Sequence, residues 1–209
     1  MPVDTDEPDV HSGPRRHRVL ITLAVVVVLF GCGALVVLHS GAATTVAAWF
    51  DGHRGRDYPD IDTTTLDPVQ QRIVEVTRTE FDAQPDGTKY SEGVDEAWCA
   101  DFVSWVMNQS GRTLVNPNSG SWRIPGVATL TEYFQSEKHF HAADSGYRPE
   151  LGDVMLYSSE SRFGQHTNIV LRVDGDVVTT VGGNELGGNV RISEFTIGDD
   201  DGLVGFGSL

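Results

Sequence analysis

A cysteine and a histidine in this chain are of the types that could do thiol-hydrolase chemistry, one as a thiolate nucleophile and the other as its base. The 209-residue sequence holds two cysteines, Cys32 and Cys99. Cys32 lies inside a long apolar run, so the two have no basis for pairing and no disulfide framework exists. Cys99 precedes Phe102, Val103, Val106 and Met107, which follow a helical period. The spacing predicts a helix beginning near Asp95 or Glu96, with Cys99 in its first turn. Backbone N–H groups there have no intrahelical acceptor, and the helix dipole favours an anion. That environment favours thiolate, and the same N–H groups can donate to an oxyanion. The plainer reading is a buried structural cysteine, since free cysteine is among the most buried residue types.

A thiolate nucleophile requires a base, and the base an orienting partner. Of seven histidines, His11, His17, His39 and His53 fall in terminal or linking segments. His139 and His141 lie in a polar stretch and read as solvated loop residues. No third ligand accompanies them at a metal-binding spacing, so no metal is predicted. His166 precedes Thr167-Asn168-Ile169-Val170-Leu171, a strand pattern. Asp174-Gly175 then signals a tight hairpin, and the returning strand reaches Val181-Gly182-Gly183-Asn184. In a hairpin the start of one strand lies beside the end of its partner, which brings Asn184 next to His166 as the orienter. Glu185 is the less favoured choice. The competing readings are a surface histidine at a strand start and a turn asparagine beside glycines.

The elements that must hold these residues follow from the same pass. Asp67-Pro68-Val69-Gln70 is a helix start, with Asp67 as cap, Pro68 in the first helical position and Gln70 reaching back. That helix ends near Phe81–Gln84. Gly111 ends the helix that carries Cys99. A loop over 112–126 and a short helix over Thr129–Gln135 follow. The chain then changes period: Asp153–Tyr157, Thr167–Val173, Val177–Val181, Val190–Ile192 and Leu203–Phe206 read as strands. Helices first and strands after predict an α+β domain with a mainly antiparallel sheet.

Residues 19–38 contain no charged side chain. As a helix they span about 30 Å, the thickness of a bilayer's hydrocarbon core. Arg15, Arg16 and Arg18 precede them, which sets the N-terminus in the cytoplasm and the remainder outside. The organisation expected is a disordered tail over 1–18, a transmembrane helix over 19–38, a juxtamembrane spacer over 39–66 and a folded domain over 67–209. Alternatives are a signal peptide cleaved near Ala42–Ala48, which would release the domain, and lipid attachment at Cys32. The net charge of −15 excludes a nucleic-acid partner, which demands clustered Lys and Arg.

Glu96-Ala97-Trp98-Cys99-Ala100-Asp101-Phe102-Val103-Ser104-Trp105 resembles the nucleophile motif of CHAP domains, the cysteine, histidine-dependent amidohydrolases/peptidases. Arg148-Pro149-Glu150-Leu151-Gly152-Asp153-Val154 resembles their Pro-x-x-Gly-Asp motif, and Gly164-Gln165-His166-Thr167-Asn168-Ile169-Val170 their histidine motif. Val181-Gly182-Gly183-Asn184 is similar to the segment bearing the third polar residue. The resemblance covers about 67–209, with the four motifs in order. It implies a papain-like α+β fold, a Cys99–His166–Asn184 triad without cofactor, and hydrolysis of amide bonds in peptidoglycan. Many members carry Glu two residues before that Asn; here Gly182 stands there. Glu92, Asp95 and Glu96 do not make the calcium loop of some members.

The mechanism this implies is thiolate attack on a peptide carbonyl, with the Cys99 N–H and a second donor holding the oxyanion. Tyr90 is a candidate for that donor, and Trp98 either lines the substrate cleft or packs in the core. The bond is muramoyl–L-alanine or one within the stem peptide or cross-bridge. The competing class is a non-catalytic wall-binding or scaffold module of an envelope complex, with envelope proteins as partners. Retention of Cys99, His166 and Asn184 together argues for the enzyme.

Overall fold

The computed structural model describes residues 56–209. The expected tail, the apolar run 19–38 and most of the spacer lie outside them. Among the described residues no helix is long and apolar enough to cross a membrane.

Helix α1 spans Pro68–Ala83 and starts as its sequence dictates. The Asp67 carboxylate accepts from the N–H groups of Val69 and Gln70, and the Gln70 side chain accepts from the Asp67 N–H. Gln84 closes the helix in the left-handed conformation. Helix α2 runs Cys99–Gln109 and helix α3 Val127–Ser136. Helix α2 therefore begins later than the Asp95–Glu96 start expected, and Cys99 is its first residue.

Six strands form one sheet: β1 (Phe140–Ala142), β2 (Val154–Tyr157), β3 (His166–Asp174), β4 (Val177–Glu185), β5 (Asn189–Thr196) and β6 (Leu203–Gly207). Their order is β1-β6-β2-β3-β4-β5, and every pairing is antiparallel. The fold is α+β. Strand β1 corrects the reading of Ser136–Ser145 as a solvated loop. Its pattern is too short to register as a strand, and its pairing with β6 supplies what local sequence lacks. His141 sits in it, stacked on Tyr147 with ring centroids 3.8 Å apart.

The sheet's alternation builds two cores. Val154, Leu156, Ile169, Leu171, Val181 and Ile192 pack with Ile73 of α1, Phe102 and Val106 of α2 and Leu130 of α3. Met155, Tyr157, Val170, Val178, Phe195 and Phe206 form the second cluster, which Tyr147, Phe163 and Leu203 partly cover. Each fully buried side chain of this size stabilises the fold by about 1.5–3 kcal/mol. The first core holds α2, and with it Cys99, against the middle of the sheet.

Residues 56–66 belong to this same body. Tyr58 and Ile61 pack on the first core. The Tyr58 hydroxyl lies 2.7 Å from Thr77 Oγ1, and the Arg78 guanidinium lies over its ring. Burial, eased by Thr77 and Arg78, pushes the Tyr58 pKa up to about 12. The folded body thus takes in the last part of the expected spacer.

Candidate active site

Cys99 is the free cysteine among the described residues, and 6% of its surface is exposed. It opens helix α2 behind Trp98, whose φ of −107° and ψ of 20° lie outside the helix. No side chain caps this end. The first-turn N–H groups therefore face the thiol end of the helix with no side-chain acceptor competing for them.

The ground around Cys99 is fixed by charge. Asp101, two residues on, is wholly buried and accepts from Arg123 Nε at 2.7 Å. Arg123 also pairs with Glu96. One guanidinium thus ties the 112–126 loop to both flanks of the nucleophile. Burial raises the Asp101 pKa, Arg123 opposes this and Glu96 adds to it; the result is about 6.

Trp98 is nearly buried, and two glycines make its berth. A Cβ at Gly87 or at Gly183 would collide with the indole. Tyr90 stacks on Trp98 at 5.1 Å and meets Phe102 edge-on. The sequence-based expectation of Tyr90 as an oxyanion donor is corrected here. Tyr90 is fully buried, and its hydroxyl donates to Glu80 Oε2 at 2.8 Å. Glu80 also accepts from Lys89 Nζ at 2.6 Å. Tyr90 supports Trp98 from behind. Trp98 packs in the core, and it also lines a cleft of about 310 Å³ together with Asp95, Glu96, Asn184 and Gly187.

His166 is the first residue of β3, paired with Tyr157 of β2. Its ring lies 5.6 Å from that of Phe163 and 6.5 Å from that of Tyr157, both near parallel. These walls leave it 5% exposed. Burial pulls its pKa down, but the Cys99 thiol and the Glu185 carboxylate together outweigh burial and raise it to about 9. The structure thus brings Cys99 and His166 together across the gap between α2 and β3.

Beside His166 the structure places Glu185, where the hairpin spacing selects Asn184. The turn is tight, with Asp174 opposite Val177, and the register Ile169↔Val181 extends towards His166 opposite Asn184. Strand β4 does not stay regular that far. Its pairing with β5 shifts between Gly182 and Glu185, and Asn184 adopts a left-handed φ of 57°. Such an irregularity re-aims the following side chain. Glu185 Oε1 stands 3.6 Å from His166 Nε2, and neither atom has a hydrogen-bond partner. Asn184 lines the neighbouring cleft. The sequence signal for this was present in Gly182-Gly183-Asn184, two glycines and a residue type that tolerates the left-handed region.

His139 and His141 converge on Ser208 Oγ, at 3.3 and 3.2 Å. Among the described residues no group of three or more His, Cys, Asp or Glu side chains is arranged to hold a metal ion.

Residues 89–184 match the family model of the CHAP domain. No curated protein and no solved structure matches the chain.

Proposed function

We propose, for a chain that belongs to the CHAP domain family through residues 89–184, that it is an extracytoplasmic cysteine hydrolase of peptidoglycan amide bonds. The observation that carries this reading is the Cys99 thiol at an uncapped helix start with the His166 imidazole against it. A raised His166 pKa favours imidazolium at neutral pH, which fits a thiolate–imidazolium pair.

In this reading the Cys99 thiolate attacks the carbonyl carbon of the scissile amide. The carbonyl electron pair moves to oxygen, and first-turn N–H groups, led by that of Cys99, hold the oxyanion. As the C–N bond breaks, the imidazolium of His166 gives its proton to the departing amine. Water, deprotonated by the same imidazole, then attacks the thioester and releases the carboxylate and the thiol. Glu185, whose Oε1 stands 3.6 Å from His166 Nε2, is the polar side chain at hand to orient the ring, in place of the Asn184 expected from the hairpin. Trp98, next to the nucleophile in the chain, would give the substrate an aromatic contact. The apolar run 19–38 would anchor the domain beside newly made wall, N-terminus inside.

The test is digestion of purified peptidoglycan by the full chain, wild type and Cys99→Ala, with mass analysis of the fragments. Free glycan chains from the wild type alone name the muramoyl–L-alanine bond. New peptide amino termini name an endopeptidase cut. Identical fragments from both proteins sink the enzyme reading and leave a wall-binding module.

A further inference from the structure

The bulge at the end of β4 places a carboxylate where the hairpin alone would have placed an amide. Building on the hydrolase reading above, we infer that Glu185, lodged in the space left open by Gly182, is the positioning residue that holds His166, and that Asn184 serves to turn it there.

Four observations carry this. The Glu185 side chain is only 7% exposed, and its Oε1 faces His166 Nε2 at 3.6 Å. Both atoms are buried and otherwise unpartnered. A buried carboxylate oxygen and a buried ring nitrogen without other partners satisfy each other at a far lower cost than either left alone. The carboxylate is held from its other side, where Ser193 Oγ of β5 donates to Oε2 at 3.0 Å. Third, the space is a glycine's. A Cβ at Gly182 would collide with Glu185 Oε1 and stand 3.1 Å from His166 Nε2. Any other residue at 182 would evict the carboxylate. Fourth, Asn184 holds a φ of 57°, and the residue lines the outer cleft, which His166 does not. With Nε2 turned to Glu185, the other ring nitrogen, Nδ1, is left for Cys99. An ionised carboxylate behind the ring fixes this orientation and stabilises the imidazolium, which a neutral amide does weakly.

The variants are Glu185→Gln, Gly182→Ala and Asn184→Gly in the full chain. Folding is checked by near-UV circular dichroism. Two readouts are taken across pH 5–11: hydrolysis of peptidoglycan, and the rate of iodoacetamide alkylation of Cys99 followed by peptide mass. Glu185→Gln is expected to cut kcat about a hundredfold or more with KM little changed. Its alkaline limb should move from near 9 towards the ordinary histidine range. Gly182→Ala should reproduce both effects, and add nothing when combined with Glu185→Gln. Asn184→Gly keeps the left-handed turn, deletes the amide and should lose less than Glu185→Gln.

Alkylation reads the thiol–imidazole pair without any substrate. Should the wild type cut no peptidoglycan, the hydrolase reading fails alone, and alkylation still tests Glu185. An unmoved pH profile in folded Glu185→Gln overturns the inference, as does a loss in Asn184→Gly equal to or above that in Glu185→Gln. Should Glu185→Gln not fold, Gly182→Ala decides by the same profile.

Discussion

The His166 imidazole sits among groups that pull in opposite directions, and its pH behaviour follows from which side wins. Burial disfavours the cation, yet Cys99 and Glu185 hold it until about pH 9. A folded-state value above the ordinary 6.5 stabilises the fold fully below 6.5, and this contribution is lost as pH rises to about 9. Hydrolysis should therefore fall with an apparent alkaline midpoint near 9, read from the pH dependence of kcat/KM. A midpoint near 6.5 would mean that the carboxylate does not act on the ring. Asp101 obeys the same sign rule. Its raised value, about 6, means that the fold prefers the neutral acid, so its stabilising contribution is complete below 3.8 and is lost as pH rises through 6. Asp101→Asn should flatten the pH dependence of stability over that window. Urea midpoints measured every half unit check it, and an unchanged slope counts against the burial argument.

At the scale of elements, the helices were legible where side chains write their own boundaries. Asp67, Pro68 and Gln70 give the start of α1 to the residue, because cap, ring and return bond are all local. Helix α2 lacks such a cap, so nothing local in its sequence marks Cys99 as its first residue. The hairpin β3–β4 was legible from Asp174-Gly175, and it delivers the chain to the right place beside His166. That Glu185 rather than Asn184 faces the ring is not legible from the spacing, because a shift in pairing lies in tertiary geometry, marked in sequence only by Gly182-Gly183-Asn184. Strand β1 was invisible, since three half-buried residues make no periodic pattern. Position 184 gives the sharpest element-scale prediction. Asn184→Val puts a β-branched residue at a φ of 57°, and should cost about 1–3 kcal/mol in urea unfolding. If the strained turn reverts to extended backbone instead, stability holds and hydrolysis is lost, which differs visibly from Asn184→Gly.

The molecule divides its work between the two faces of one sheet. The helical face fixes where Cys99 can be; the second cluster, through Tyr157 and Phe163, fixes the wall of His166. The site lies where the two meet, so distant packing faults reach it. Phe102 is the clearest link, since it is fully buried, touches Tyr90 and Trp98, and sits one turn beyond the nucleophile. Phe102→Ala should lose about 3–5 kcal/mol, measured by urea unfolding. The body also draws on the segment that precedes α1. Tyr58 and Ile61 close the far side of that helix. A chain starting at residue 67 should be less stable than one starting at 55 by about 2 kcal/mol, half of what a fully buried aromatic is worth. Equal urea midpoints for the two would show that this segment only decorates the surface.

The left-handed turn at Asn184 has a last consequence, for how such proteins are compared. A column in an alignment is an address along a chain, whereas a proton meets an address in space. Here the two come apart within a single turn of backbone. The family match closes at residue 184, one short of the carboxylate that faces His166. Judged column by column, this chain would be scored as having mislaid its acid and retired from catalysis. Judged by position in space, a carboxylate faces His166 from one residue beyond the match.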